Sequence, residues 1–431
     1  MRDRSPSKYI SPVNRSSEPA RIALRYLAAT ALVIALLVLI LNTGRQGIGS
    51  MLTAAAARTG ALANADQAER YSPNNPETHF VRGTILGATG DLSTAADEMN
   101  QSAAGRPDDF ALWLSLARAR ELNGETDAAI AAARQAIPLA PYYVEPHWQL
   151  GNILLRAGEN EEAFKELGLA GTSNPDLLPG IIGLAWQISN GDVEFVEHSI
   201  RPGTPEAYLA LGQFFRQAKQ VDAAIAMLTA AGDAAKEARQ SYVGELARAK
   251  QFKTAATLWS RDHKVHIDPG VLINPGFEQE SNLNEPGFAW RLDQEPHSFH
   301  LSLDPTDPRE GSLSLKIDFG GDLEPGQPIL SQLILIEPGV HYRLRFAARS
   351  EAIVSGSMPR VNVVEGESAQ ILGEPTDFPR TTSGWREYAI EFQPGQSATA
   401  VEIVVGRQAC DKQPCPIFGH LWLDSFVLEK L

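Results

Sequence analysis

Three patterns of apolar and polar positions follow one another along the 431 residues. From Ile22 to Leu41 the run IALRYLAATALVIALLVLIL is apolar except for Arg25, and about 20 such residues suffice to cross a bilayer as a helix. Arg25 lies near enough to the end of the run to snorkel. From about residue 54 to residue 265 the spacing is helical and also repeats. Pro73, Pro107, Pro141 and Pro175 fall at a constant interval of 34 residues. Gly90, Gly124 and Gly158 keep that interval, as do Ala95, Ala129 and Ala163, and His79, Trp113 and His147. After His266 the helical spacing stops, and short alternating runs separated by glycine and proline predict strands. They read Leu313, Leu315, Ile317 and Phe319; Tyr342, Leu344 and Phe346; Tyr388, Ile390 and Phe392; Val401, Ile403 and Val405; Leu421, Leu423 and Val427.

Each register of the 34-residue period has its own physical reason. The alanines sit where two helices cross closely and only a small side chain fits. The glycines end a first helix in a left-handed turn, and the prolines stop a second helix before the next begins. Bulky residue, small residue, turn glycine, small alanine and closing proline in this order resemble the tetratricopeptide repeat, with the clearest copy between Phe110 and Tyr143 (Trp113, Leu116, Ala117, Gly124, Ala129, Ala136 and Pro141). Tyr208, Leu211, Gly212, Phe215, Ala224, Leu228 and Ala231 follow the same pattern. Weaker copies fall around residues 178–203 and 238–262, and Ala61, Ala65, Ala68 and Pro73 look like the second helix of an incomplete first repeat. Five or six repeats are expected. The resemblance implies a helical solenoid whose groove, lined by first helices, takes a protein or peptide partner. Arg118, Gln149, Asn152 and Arg156 lie on first helices and are either groove residues or simply solvated.

The strand-rich part opens with Leu272-Ile273-Asn274-Pro275-Gly276-Phe277-Glu278, continues through Phe288-Ala289-Trp290, Gly311-Ser312-Leu313-Ser314-Leu315 and Gly384-Trp385-Arg386-Glu387-Tyr388, and closes with Leu421-Trp422-Leu423-Asp424. This ordered set resembles carbohydrate-binding modules of the family 4/9 type, which are jelly rolls of the galactose-binding-like class. The resemblance implies sugar bound on aromatic rings, for which Trp290, Phe299, His300, Trp385 and Trp422 are the candidates, with packing as the alternative role of each tryptophan. It also implies a structural calcium held by Glu278 and Asp424, whose alternative is plain hydrogen-bond acceptance without metal.

Charge places the molecule. Arg2, Arg4, Lys8, Arg15 and Arg21 precede the apolar run against only Asp3 and Glu18, and such a flank stays on the cytoplasmic side. The expectation is a cytoplasmic basic tail over 1–21, an uncleaved transmembrane anchor over 22–42, repeats over 54–265 and a β-sandwich over 267–431, with the C-terminus in the periplasm. A cleaved signal peptide competes with this; residues 42–46 are a poor cleavage site, although Ala54 to Ala57 offer one. The net charge of −14 excludes a nucleic-acid partner, which needs a basic face. Cys410 and Cys415, in the segment CDKQPC, pair as a local disulfide outside the cytoplasm or stay free thiols inside it.

No phosphate-cradling glycine loop, nucleophile elbow or zinc-protease signature is present. His263, His266 and Asp268 have metal-like spacing with no further ligand beside them. The fold class expected is an all-α tetratricopeptide solenoid plus an all-β jelly-roll sandwich, preceded by one transmembrane helix. The function expected is a non-catalytic, membrane-anchored extracytoplasmic scaffold, its repeats on a protein and its sandwich on glycan, in envelope polysaccharide or exopolysaccharide assembly. The alternative is a purely protein-interacting, adhesive module without glycan. No cofactor beyond the structural calcium is implied.

Overall fold

The computed structural model describes residues 18–431 apart from 294–298, 374–377, 380, 411 and 413, so the expected basic tail lies outside the described residues up to residue 17. The chain divides into two compact units, residues 1–201 and residues 202–431. Helices followed by two antiparallel sheets give the expected fold class, with an apolar helix at the start.

The first unit holds α1 (Glu18–Thr59), α2 (Leu62–Tyr71), α3 (Pro76–Thr89), α4 (Leu92–Gly105), α5 (Phe110–Leu122), α6 (Thr126–Leu139), α7 (Val144–Ala157), α8 (Asn160–Ser173), α9 (Leu178–Ile188) and α10 (Val193–Ile200). Asn75 and Asp109 cap α3 and α5 by accepting from the backbone N–H groups of Glu77 and Ala111. Gly90 and Gly158 close α3 and α7 in the left-handed conformation, at φ 91° and 84°. Ala95, Ala129 and Ala163 are buried at the helix crossings, and at Gly151 even a Cβ would come within 2.7 Å of Leu167 Cγ. Consecutive helices pair as hairpins, five here and two in the second unit, so seven form among the described residues against the five or six expected. Two local facts account for the difference. The weak stretch around residue 178 folds as a complete pair, α9 and α10. The first repeat is also complete, because its first helix is the far half of the apolar helix itself.

That helix, α1, runs unbroken for 42 residues, about 63 Å at 1.5 Å per residue. Its described apolar side chains from Leu24 to Leu41 are exposed. From Gly49 onward it is packed: Thr53 and Ala56 are buried, and Thr53 Oγ1 lies 2.8 Å from Thr78 Oγ1 on α3. A single rigid rod therefore joins the apolar run to the repeats, with no linker between residues 42 and 54.

The second unit begins with α11 (Pro205–Gln217), α12 (Val221–Ala230), α13 (Lys236–Arg248) and α14 (Phe252–His263). Ten strands follow: β1 (Arg291–Leu292), β2 (Phe299–Asp304), β3 (Ser314–Gly321), β4 (Pro328–Leu335), β5 (Tyr342–Ser355), β6 (Pro359–Glu365), β7 (Ile371–Leu372), β8 (Ser383–Phe392), β9 (Ala400–Arg407) and β10 (Ile417–Lys430). They form two five-stranded antiparallel sheets, ordered β1-β4-β9-β6-β7 and β2-β3-β10-β5-β8. The alternating runs supply the core between them, including Leu315, Ile317, Leu344, Phe346, Ile390, Val401, Ile403, Leu421 and Leu423. Val427 departs from the expected face. A bulge between Asp424 and Val427, with Ser425 at φ 56°, turns Phe426 into the core and leaves Val427 40% exposed.

The change from helix to strand near residue 266 is not a break in packing. Trp259 of α14 meets Phe288 at 6.1 Å between ring centroids, His263 Nε2 lies 3.0 Å from Glu285 Oε1, and Lys250 donates to the Glu367 carbonyl. The last two hairpins and the sandwich thus share one unit.

Candidate binding sites

In the first unit, α5 and α7 lay parallel rows of side chains along a groove of about 710 Å3. All four residues expected on first helices, Arg118, Gln149, Asn152 and Arg156, line it. Their neighbours are Trp148, 40% exposed, and Leu122, 58% exposed. Helical spacing explains the convergence, since positions 145, 148, 149, 152 and 156 fall on one face of α7. Arg156 Nη2 is 2.5 Å from Glu121 Oε1, and Gln149 Nε2 donates to the Leu114 carbonyl at 2.8 Å. Asn152 Nδ2 donates to the Trp148 carbonyl at 2.7 Å, so both amides keep their own oxygens available. Arg118 has no carboxylate partner among the described residues. The groove thus presents two amides, a guanidinium without a carboxylate partner among the described residues, and an exposed indole.

A buried network missed in the sequence lies behind α3 and α7. His79 Nδ1 is 2.8 Å from Glu98 Oε2, and its Nε2 is 2.8 Å from the Pro73 carbonyl. His147 repeats this with Glu166 at 2.7 Å and the Pro141 carbonyl at 3.1 Å, whereas Trp113, at the same place in its repeat, donates to the Pro107 carbonyl at 2.8 Å. Glu69, His79 and Glu98 lie close enough together to hold a metal. Arg82 already supplies a cation to that group, pairing with Glu69 at 3.4 Å and with Glu98, and with Asp66 beside it.

On the sandwich, the five candidate aromatic and imidazole groups separate. Trp290 is fully buried, its ring 5.1 Å from both Phe277 and Phe426, and Phe299 is 5% exposed within the same core. Neither offers a ring face to sugar, because both point between the sheets. Trp422 is 4% exposed. The Arg349 guanidinium stands 4.0 Å from its ring centroid, and its Nε1 donates to Asp304 Oδ2 at 2.7 Å, so its platform is occupied by protein. His300 is exposed beside Asp318 in the cross-strand register. Trp385 is half-buried and donates to the Asp307 carbonyl at 2.9 Å.

Glu278 and Asp424 do lie together, at 3.9 Å and 3.5 Å from where a Cβ on Gly276 would stand. N–H donors, however, face both. Glu278 accepts from Ser312 and Leu313, and Asp424 from Arg309, Glu310 and Ser425. The nearby carbonyls of Ile273, Asn274 and Pro275 are taken by Gln332, Trp290 and Phe426. Burial pushes the Asp424 carboxyl up, against those hydrogen bonds. A donor set of positive N–H ends and spent carbonyls fits calcium poorly. Here the two carboxylates clasp the loop 309–313 to the first and last segments of the sandwich. Cys410 and Cys415 are joined in a disulfide, and Arg407 donates to the Cys415 carbonyl at 2.6 Å. His263 stacks on Trp259 at 3.8 Å, while His266 pairs with Asp268 at 3.0 Å at the surface, so these residues do not converge.

Comparison with known proteins agrees with the helical part. Residues 80–144 match the family model described as Tetratricopeptide repeat, which makes this stretch, α3 to α6, a tetratricopeptide segment. No curated protein matches the chain. Among solved structures, MamA from Desulfovibrio magneticus RS-1 is 18% identical, with 31% of this chain and 76% of that chain covered at a TM-score of 0.28. PilF of Pseudomonas aeruginosa is 11% identical over 44% of this chain and 90% of its own, at 0.31. A structure titled TmCBM61 in complex with beta-1,4-galactotriose is 17% identical over 38% of this chain and all of its own, at 0.27.

Proposed function

We propose that this chain is a non-catalytic, single-pass membrane scaffold whose repeats dock an extended peptide of a partner protein outside the cytoplasm. The observation that carries the reading is the α5–α7 groove, where Trp148 and Leu122 remain exposed between Arg118, Gln149 and Asn152. Tryptophan and arginine are the side chains that most often anchor protein partners, and here they stand together in a concave surface. The apolar run of α1 supports the anchor, and the cationic residues before it support a C-terminus outside.

Glycan at the sandwich is the finer part of this reading, with envelope polysaccharide assembly as its setting. Its support narrows to His300 and Trp385, since the other three rings are closed by protein. If a glycan array finds no ligand, the purely protein-interacting alternative holds.

Quantitative affinity capture from membranes, with full-length protein and Trp148→Ala, tests the groove. Loss of a buried aromatic anchor costs about 2 kcal/mol or more, so the specific partner should fall at least about tenfold in abundance. Equal capture by both forms would remove the groove from the proposal. A phosphatase reporter fused after Leu431 should be active, and a silent phosphatase with an active cytoplasmic reporter would reverse the topology.

A further inference from the structure

Where α1 leaves its apolar run, a polar pocket of about 630 Å3 opens between the helix and the α2–α3 turn. Asn42, Arg45, Gln46 and Ser50 line one side of it, spaced so that they share a face of α1. Tyr71, Ser72 and Asn74 line the other. The lining carries one cation, Arg45, and no carboxylate.

Its depth follows from helix geometry. Arg45 is four residues beyond Leu41, so it stands roughly 6 Å past the end of the apolar run. The headgroup layer on each side of a bilayer is roughly 5–7 Å thick. The Asn42–Gln46 end of the pocket therefore lies at the level of the lipid phosphates, and the Gly49–Ser50 end, about 12–14 Å past the run by the same rise, stands on the outer side where the headgroup substituent points.

An independent feature marks the pocket as built for a ligand. Ser72 is 6% exposed, and its hydroxyl has no hydrogen-bond partner. A buried, unsatisfied hydroxyl is costly, and structures keep few of them. The hydroxyl points at α1, where a Cβ on Gly49 would come within 2.2 Å of it. Glycine at 49 is what leaves room for the hydroxyl there. Arg45 donates only a long 3.4 Å bond to the Arg70 carbonyl, so most of its guanidinium is uncommitted.

We propose that this pocket binds the phosphodiester headgroup of a membrane phospholipid. Arg45 supplies the charge-assisted donors, the Ser72 hydroxyl supplies a buried one, and the Asn42, Gln46 and Asn74 amides complete the shell. The proposal rests on reading the apolar run as membrane-spanning. A headgroup held here would fix the depth and rotation of the rigid α1, and with it the first repeat.

The test uses full-length protein in nanodiscs of phosphatidylglycerol and phosphatidylethanolamine, released for native mass spectrometry. Wild type should retain one phospholipid per chain. Arg45→Gln and, separately, Ser72→Ala should lower retention at least about tenfold, the scale of a lost charge-assisted or buried hydrogen bond. Arg58→Gln removes a cation from the same helix outside the pocket and should change nothing. Circular dichroism of the variants guards against misfolding, and either variant alone suffices if the other fails to fold. Equal retention in wild type, Arg45→Gln and Ser72→Ala overturns the site. Inorganic phosphate bound in phosphate-free bilayers, with no lipid retained, overturns the headgroup as its source. Release of the chain by alkaline carbonate would refute the anchor itself, a failure distinguishable from loss of the pocket.

Discussion

Asp304 accepts from the Thr306 backbone N–H at 2.8 Å and from Trp422 Nε1 at 2.7 Å, while Arg349 covers the same indole. The hydrogen bond of the Thr306 side chain, then that of Trp422, and after them the Thr306 backbone bond hold the Asp304 carboxyl down at about 2. A carboxyl lowered on folding stabilises the native state above its unfolded range, and that stabilisation is lost as the pH falls through the folded value. The window is therefore roughly pH 4 down to 2. Asp304 is largely solvated, so the effect is small. Denaturation midpoints at pH 5 and pH 2.5 should converge in Asp304→Asn relative to wild type. An unchanged acid slope would place the acid sensitivity elsewhere.

At the scale of elements, much could be read from sequence because its signals are local. A glycine needing positive φ, a small residue at a helix crossing and a proline after a helix each act within a few residues, so α3 to α8 appear where the 34-residue period puts them. The His–Glu pairs left a trace that was passed over: a glutamate stands 19 residues after His79 and after His147, while Trp113, which needs no carboxylate, has Ala132 there. The apolar run of α1 hid the helix's continuation into the first repeat, because the apolar and repeat-facing halves of one helix differ in composition but not in backbone. On the sandwich, alternation predicted β3, β5, β8, β9 and β10 and failed within them at the β10 bulge; β4 gave no such signal because residues 329–335 are buried on both faces, and β6 was not read either. Alternation cannot say which aromatic groups are covered. Trp422 is closed by Arg349 from β5, a pairing that depends on strand register rather than on neighbouring sequence.

At the scale of the molecule, helical hairpins and sandwich pack together in the second unit, so a truncation at residue 266 would cut through packing. The seam is tight at Gly287, held at φ 150°, where a Cβ would lie 2.2 Å from Trp259 Cδ1. Gly366 meets the Phe252 ring in the same way, at 2.9 Å. In Gly287→Ala the indole must leave its place against Phe288, and its stack with His263 goes with it. Overpacking and backbone strain together should cost about 2 kcal/mol or more, equivalent to roughly 4–8 °C in melting temperature for a unit of this size. Because the seam is shared, the loss should reach both sides. Hydrogen exchange of the full chain is expected to speed up together in peptides from α13–α14 and from β4 and β9, while α3 to α8 keep their protection. Faster exchange confined to the strands, with α14 still protected, would mean that hairpins and sandwich unfold independently and that the seam is only a surface contact.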